Sequence, residues 1–196
     1  MSQTQKLPAF KAYDIRGRMP EQLNEFMVYC IGKAYARVMK PQAPIAVGQD
    51  IRLSSKALSQ ALISGLNSEG VTTVDIGLCG TEMIYFAAGQ DHMGGGIMVT
   101  ASHNPADYNG LKMVKEGSRP ISSDTGLGAI EQETIALMNT IAAPVAYIPT
   151  VSLHSEQSVL AGYITKLLAL IDVAKVKPLH VLVNGGNGCA GPFFDA

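Results

Sequence analysis

Between residues 45 and 115 the chain switches repeatedly between strand-like and helix-like hydrophobic periods, and no feature limits its fold more. Ile45-Ala46-Val47 is a short apolar run closed by Gly48. Ser54 or Ser55 then caps a stretch with Leu58, Leu62 and Leu66 at helical spacing, ending near Gly70. Thr72, Val74 and Ile76 alternate as in a strand, and Gly77 closes it. A shorter helix is expected over Glu82 to Gln90, after which Gly94-Gly95-Gly96 introduces another apolar strand, Ile97-Met98-Val99. The alternation predicts an α/β fold of three layers: a mixed, mostly parallel sheet with helices on both faces. In such folds chemistry collects where strands end and loops begin.

The flanks extend this unit. Leu23, Met27, Cys30, Ile31, Ala34 and Val38 share one helical face within residues 21–39, and Pro41 and Pro44 stop it. A strand at Leu111–Val114 and a return helix at about Thr125–Asn139 complete a first domain, placed at residues 1–145. Residues 142–156 (AAPVAYIPTVSLHSE) are aperiodic, hold two prolines and read as a boundary. Beyond them Leu160, Tyr163, Ile164, Leu167, Leu168 and Ile171 form an amphipathic helix, and Val181-Leu182-Val183 reads as a strand. Residues 155–196 thus read as the beginning of a second α/β domain. One helix, one strand and one loop cannot close a core, so the chain is expected to be truncated relative to the functional protein, or to dock this part elsewhere.

Composition removes several classes of function. With 47% apolar residues, 16% charged residues and a net charge of −1, the chain has no concentrated positive field. Nucleic-acid and anionic-membrane surfaces need one, so neither partner is expected. The first ten residues lack the apolar core of a signal peptide, and no run of 18 apolar residues follows. Cys30, Cys79 and Cys189 form no CxxC pair, which argues against a zinc site or redox dithiol and fits reduced thiols in the cytosol. The sequence carries no sign of oligomeric state.

One segment is dense in reactive groups. Thr100-Ala101-Ser102-His103-Asn104-Pro105, followed by Asp107-Tyr108-Asn109-Gly110-Leu111-Lys112, leaves a buried strand and offers a hydroxyl, an imidazole, amides and an ammonium. Pro105 biases Asn104 away from helix, so the loop is held in a turn. A serine there can be a nucleophile or a phosphate carrier; as phosphoserine it would bear about −1.5 to −2 charges and need cations beside it. Lys112, Arg16 or a bound metal could supply them. The same residues are also ordinary turn formers, and residue types alone leave both readings open. Asp50 and Arg52, at a strand end, read either as support for a cleft or as a structural ion pair.

The string TASHNPADYNGLK resembles the phosphoserine loop of the α-D-phosphohexomutases, the family of phosphoglucomutases and phosphomannomutases. Phe10-Lys11-Ala12-Tyr13-Asp14-Ile15-Arg16-Gly17 is similar to that family's N-terminal active-site strand, and Gly48-Gln49-Asp50-Ile51-Arg52 and Asp75-Ile76-Gly77 also agree. The wider pattern, with Gly80-Thr81-Glu82, Tyr85-Phe86-Ala87 and Arg119-Pro120-Ile121-Ser122, resembles bacterial phosphomannomutases that feed GDP-mannose into surface polysaccharide. The resemblance implies that Ser102 carries the phosphoryl group exchanged with a hexose 1- or 6-phosphate through a hexose 1,6-bisphosphate. It implies His103 and Lys112 beside Ser102, for proton transfer and charge stabilisation, and Arg16 facing a substrate phosphate. Tyr13 and Asn104 would line the same site, and a phosphoserine oxygen would help to bind Mg²⁺.

The sequence also departs from the family. The aspartate-rich metal loop, a DGDxDR-like string, is not in these residues, nor are the sugar-recognition and C-terminal phosphate loops. Little or no mutase activity is therefore expected of the 196 residues alone. Mannose is the expected sugar; glucose, or a non-catalytic sugar-phosphate binding module, is the alternative. A serine hydrolase is disfavoured, because His103 adjoins Ser102 and no G-x-S-x-G elbow exists. Gly186-Asn187-Gly188-Cys189-Ala190-Gly191 matches G-x-G-x-x-G, but resemblance reads Asn184–Gly188 as the glycine-rich turn that opens the mutases' second domain. His92, His154 and His180 lack metal-ligand spacing and read as structural or solvent-facing.

Overall fold

A computed structural model of the protein describes residues 6–195; the outermost residues of the two expected domains, 1–5 and 196, lie outside it. Six strands form one sheet: β1 (Ile15–Arg18), β2 (Ile45–Gln49), β3 (Thr73–Leu78), β4 (Gly95–Val99), β5 (Tyr108–Lys115) and β6 (His154–Glu156). Their order across the sheet is β1-β5-β4-β2-β3-β6. The pairings β4–β2, β2–β3 and β3–β6 are parallel, whereas β5 runs antiparallel to both β1 and β4. This is the mixed, mostly parallel sheet expected from the alternation.

The continuous apolar runs follow from burial on both faces. Ile45, Val47, Ile97, Val99, Leu111 and Met113 pack into one core with helices α1 (Glu25–Met39), α2 (Ser55–Ser68) and α4 (Leu127–Thr140). Ala46, Met98 and Val114, their neighbours along the strands, join a smaller core with α3 (Thr81–Ala88), against which α5 (Leu160–Leu168) lays Leu160 and Tyr163. Helix α1 begins at its cap, where the Asn24 side chain accepts from the Met27 amide at 2.9 Å, and closes on Lys40 in the left-handed region ahead of Pro41. Gly32 and Gly65 let α1 and α2 touch backbone to backbone. A Cβ on Gly32 would come within 2.5 Å of the Leu62 carbonyl oxygen, and one on Gly65 would fall onto that of Tyr29.

Three details differ from the sequence expectations. β6 is a strand without an alternating apolar pattern, and β1, expected from the resemblance over Phe10–Gly17, forms at Ile15–Arg18. Residues 181–183 are not a strand: Leu182 is fully exposed, and a strand persists only where a neighbour pairs with its backbone. Helix α5 stops at Leu168, with Leu170 and Ile171 exposed. The turn at Gly186–Gly188 therefore follows no strand and leads only to the four-residue helix α6 (Gly191–Phe194), so the dinucleotide fingerprint lacks its structural context. No described helix is long and apolar enough to cross a membrane.

Candidate phosphate-carrier site

The strands β2, β3 and β4 end together, and the loops that leave them enclose a cleft of about 540 Å³. Asp50, Arg52, Cys79, Gly80, Thr100, Ser102 and Asn104 line it, and Asn187, Gly188 and Cys189 close its far side. Burial lifts the Cys79 thiol to about 12 and raises that of Cys189, so both cysteines face the cleft as neutral thiols.

Ser102 sits in the loop between β4 and β5 with φ at 55°, a left-handed conformation that costs a serine on the order of 1–3 kcal/mol. Its neighbours hold it there from both ends. The Ser102 amide donates to Thr100 Oγ1 at 2.9 Å, and the Thr100 hydroxyl donates to Asp50 Oδ2 at 2.6 Å. At the other end the Ser102 carbonyl accepts from the Arg52 guanidinium at 2.8 Å. Asn104 closes the turn locally, its amide nitrogen donating to the Ala101 carbonyl at 2.8 Å. Asn109, fully buried, donates to the hydroxyls of Ser54 and Ser55 and so pins the start of β5 to the cap of α2.

Asp50 and Arg52 form one unit in which each is largely committed. Asp50 Oδ1 accepts from the Arg52 amide at 3.0 Å and the Ser55 hydroxyl at 2.5 Å, while Oδ2 takes Thr100 and lies 3.3 Å from Arg52 Nε. With both oxygens engaged, Asp50 is a poor candidate for a metal ligand. No three carboxylate, imidazole or thiol side chains group as a metal site among the described residues. The Mg²⁺ implied by the resemblance therefore finds no complete ligand set here.

The remaining expected residues are gathered unequally. Ser102 and Asn104 line the cleft, and His103 Nδ1 lies 3.4 Å from Ser102 Oγ. Lys112 pairs with Met98 across β5 and β4, so the two share a sheet face, and Met98 lines the cleft. Arg16 pairs with Gly110, two residues from Lys112, and so lies on the same face. Its guanidinium is held by Asp14 at 2.7 Å, whereas Lys112 has no ion-pair partner among the described residues. Tyr13 is 80% exposed and outside the cleft lining, and no hydrogen bond joins Arg16 or Lys112 to Ser102. Sequence reasoning left Arg52 undecided and missed Thr100. Their roles depend on contacts across 50 residues, for which a single sequence carries no signal.

The fold and motif have known counterparts. Residues 7–140 match the family model for phosphoglucomutase/phosphomannomutase, alpha/beta/alpha domain I. The chain is 50% identical over 189 residues to a protein named phosphohexose mutases from Xanthomonas campestris pv. campestris, covering 96% of this chain and 41% of the relative. It is 46% identical over 191 residues to a phosphomannomutase of Escherichia coli K12, covering 97% of this chain and 41% of that protein. Among solved structures, a phosphoglucomutase/phosphomannomutase family protein from Burkholderia thailandensis superposes with a TM-score of 0.78 at 32% identity, over 94% of this chain and 40% of that one. The chain thus spans about two fifths of the length of the curated relatives it matches.

Proposed function

The chain belongs to the phosphoglucomutase/phosphomannomutase family, and from that premise we propose that it is the phosphate-carrying part of an enzyme that interconverts mannose 6-phosphate and mannose 1-phosphate. Ser102 carries the phosphoryl group. In the forward step the bond from Ser102 Oγ to phosphorus breaks, and a new one forms to the free sugar hydroxyl. The hydroxyl proton leaves, and Oγ returns to a hydroxyl. The resulting hexose 1,6-bisphosphate turns over in the cleft and returns its other phosphoryl group to Ser102. Such transfers ask a protein mainly for positioning and charge neutralisation.

The observation that carries this reading is Ser102 itself, held in a costly backbone conformation at the lip of a cleft where strand ends converge. His103, 3.4 Å from Oγ, exchanges the proton. Lys112, unpaired and on the cleft-side face of the sheet, offsets the charge of the moving group, and Arg16 meets the distal phosphate once it turns from Asp14. Asn104, on the cleft wall, contacts the substrate. The described residues group no ligand set for Mg²⁺, and a phosphorylated Ser102 would offer it one oxygen. Mannose is preferred because the Escherichia coli relative is named a phosphomannomutase. Residues 155–196 form the opening of a second α/β domain, a reading supported by Leu167 and Leu168 of α5, which stay exposed. Three thiols outside any disulfide fit a reducing compartment.

Incubation with a hexose 1,6-bisphosphate, followed by intact-mass measurement and peptide mapping, tests the carrier role. One phosphate gained, localised to Ser102, is the expected result. A Ser102 still bare in the protein expressed from its complete reading frame would end the mutase reading. If hexose phosphate still bound to that bare protein, a binding module would remain.

A further inference from the structure

Arg52 combines a guanidinium, a largely buried side chain and no free terminal donor. Its side chain is 13% exposed and that of Asp50 is 12% exposed. Nη1 donates to the carbonyls of Pro105 at 2.7 Å and Tyr108 at 3.0 Å; Nη2 donates to those of Ser102 at 2.8 Å and Asn104 at 2.6 Å. A guanidinium has four terminal N–H groups, and all four end on main-chain oxygens of one loop. Nε, the fifth donor, faces Asp50 Oδ2 at 3.3 Å. Arg52 lines the cleft yet has no donor left for an incoming phosphate.

The same pair reaches the other end of Ser102, since Asp50 fixes Thr100, and Thr100 accepts the Ser102 amide. Amide and carbonyl of Ser102 are thus both tied, directly or through one hydroxyl, to the Asp50–Arg52 unit at the end of β2. Pinning both ends is what keeps a residue without a glycine's freedom at a φ of 55°.

We propose that Arg52, backed by Asp50, is the positioning residue for the phosphate-carrying serine: it grips four carbonyls of the Ser102–Tyr108 loop and aims Oγ without touching substrate. The proposal rests on the phosphoserine reading of Ser102. Arg52 acts through the loop, so its loss should slow the transfer step and leave substrate binding nearly intact.

Two measurements on Arg52→Ala test it. In this chain, amide hydrogen exchange followed by peptide mass should speed up at least tenfold across residues 101–108, while exchange in α1 and α2 stays at the unsubstituted rate. In the protein expressed from its complete reading frame, kcat should fall roughly a hundredfold, the size of effect a small misplacement produces, with KM within about threefold. Unchanged exchange at 101–108 would overturn the clamp. A rise in KM at constant kcat would make Arg52 a substrate ligand and also overturn it. Faster exchange with unchanged kcat would reduce the clamp to a loop brace without catalytic consequence. If the unsubstituted protein shows no mutase activity, the mutase reading fails and the exchange comparison alone decides the clamp.

Arg52→Lys guards against misfolding. Its single nitrogen has three donors for four carbonyls, so exchange should be intermediate between the two other proteins. Exchange as slow as in the unsubstituted protein would mean that charge alone suffices and would overturn the four-carbonyl grip.

Discussion

Leu58, Leu62 and Leu66 of α2 recur at helical spacing, as do Leu160, Ile164 and Leu167 of α5, yet the first three are fully buried and none of the last three is. The contrast holds across the two regions. Residues 7–137 supply every buried side chain of the described chain, and no described residue beyond Leu137 is buried. Between residues 167 and 183 the apolar side chains of Leu170, Ile171, Val173, Val176, Leu179, Val181 and Leu182 are all more than half exposed. A hydrophobic pattern therefore specifies which face would be buried but not that it is buried; that needs an opposing surface. The first region has one on each face of its sheet, and the carrier loop grows out of it. The second meets the first through β6 on the sheet edge, through α5 on α3, and through Cys189 at the cleft.

The largest expected effect tests whether the chemistry belongs to the first region. Ser102→Ala, in the protein expressed from its complete reading frame, should lower turnover on the order of 10⁴-fold or more, as loss of a group that works as part of a unit does. Retained turnover would remove Ser102 from the mechanism. Next comes the stability contrast itself. In urea unfolding of this chain, Leu62→Ala should cost about 3 to 5 kcal/mol, while Leu182→Ala should stay within about 0.5 kcal/mol. Similar costs would mean that the second region packs in solution.

A smaller loss, about 2 to 3 kcal/mol, is expected of Gly65→Ala, because its methyl group would press on the Tyr29 carbonyl and part α1 from α2. A neutral outcome would show that the helix pair can shift without loss.

The smallest effect lies at the seam. Asp75 on β3 stands opposite Glu156 on β6, and burial, with a lesser push from that carboxylate, raises the Asp75 pKa above the ordinary aspartate range. A folded-state pKa above the unfolded one gives a contribution that is full below the ordinary value and is lost as pH climbs through the raised value. Hydrogen exchange in β6 should therefore quicken as pH rises through that window, after correction for the intrinsic rate. Asp75→Asn, which keeps an oxygen for the Gly77 amide, should flatten the trend. A β6 equally protected at both ends of the window would leave the seam uncoupled from Asp75.

What the sequence disclosed follows the same division. β2 and β4 were legible because their apolar runs are buried on both faces, β3 because Thr72, Val74 and Ile76 alternate, and β5 because Leu111, Met113 and Val114 are apolar. β1, with the sequence Ile15-Arg16-Gly17-Arg18, and β6, His154-Ser155-Glu156, were not legible from pattern because edge strands are held by backbone pairing. Val181–Val183 looked like a strand on the strength of its side chains and is none for want of a partner. At the site, the resemblance drew attention to Ser102 and Asn104, which line the cleft, and to Tyr13, which stands exposed away from it. Composition offered two readings of Asp50 and Arg52, and only the three-dimensional contacts show them joined to a loop 50 residues away.

β4 and β5 are neighbours in the sequence as well as in the sheet, and that fact bears on the order in which the site assembles. Closing the short connection between Val99 and Tyr108 restricts few residues, and the entropy of closure grows only slowly with length. This hairpin can form early, before the parallel crossovers that join β2 to β3 through α2. Arg52, by contrast, arrives with β2 from about 50 residues upstream. A chain refolding from the denatured state would thus own its serine before it owns the serine's geometry, which waits for β2 to dock beside β4.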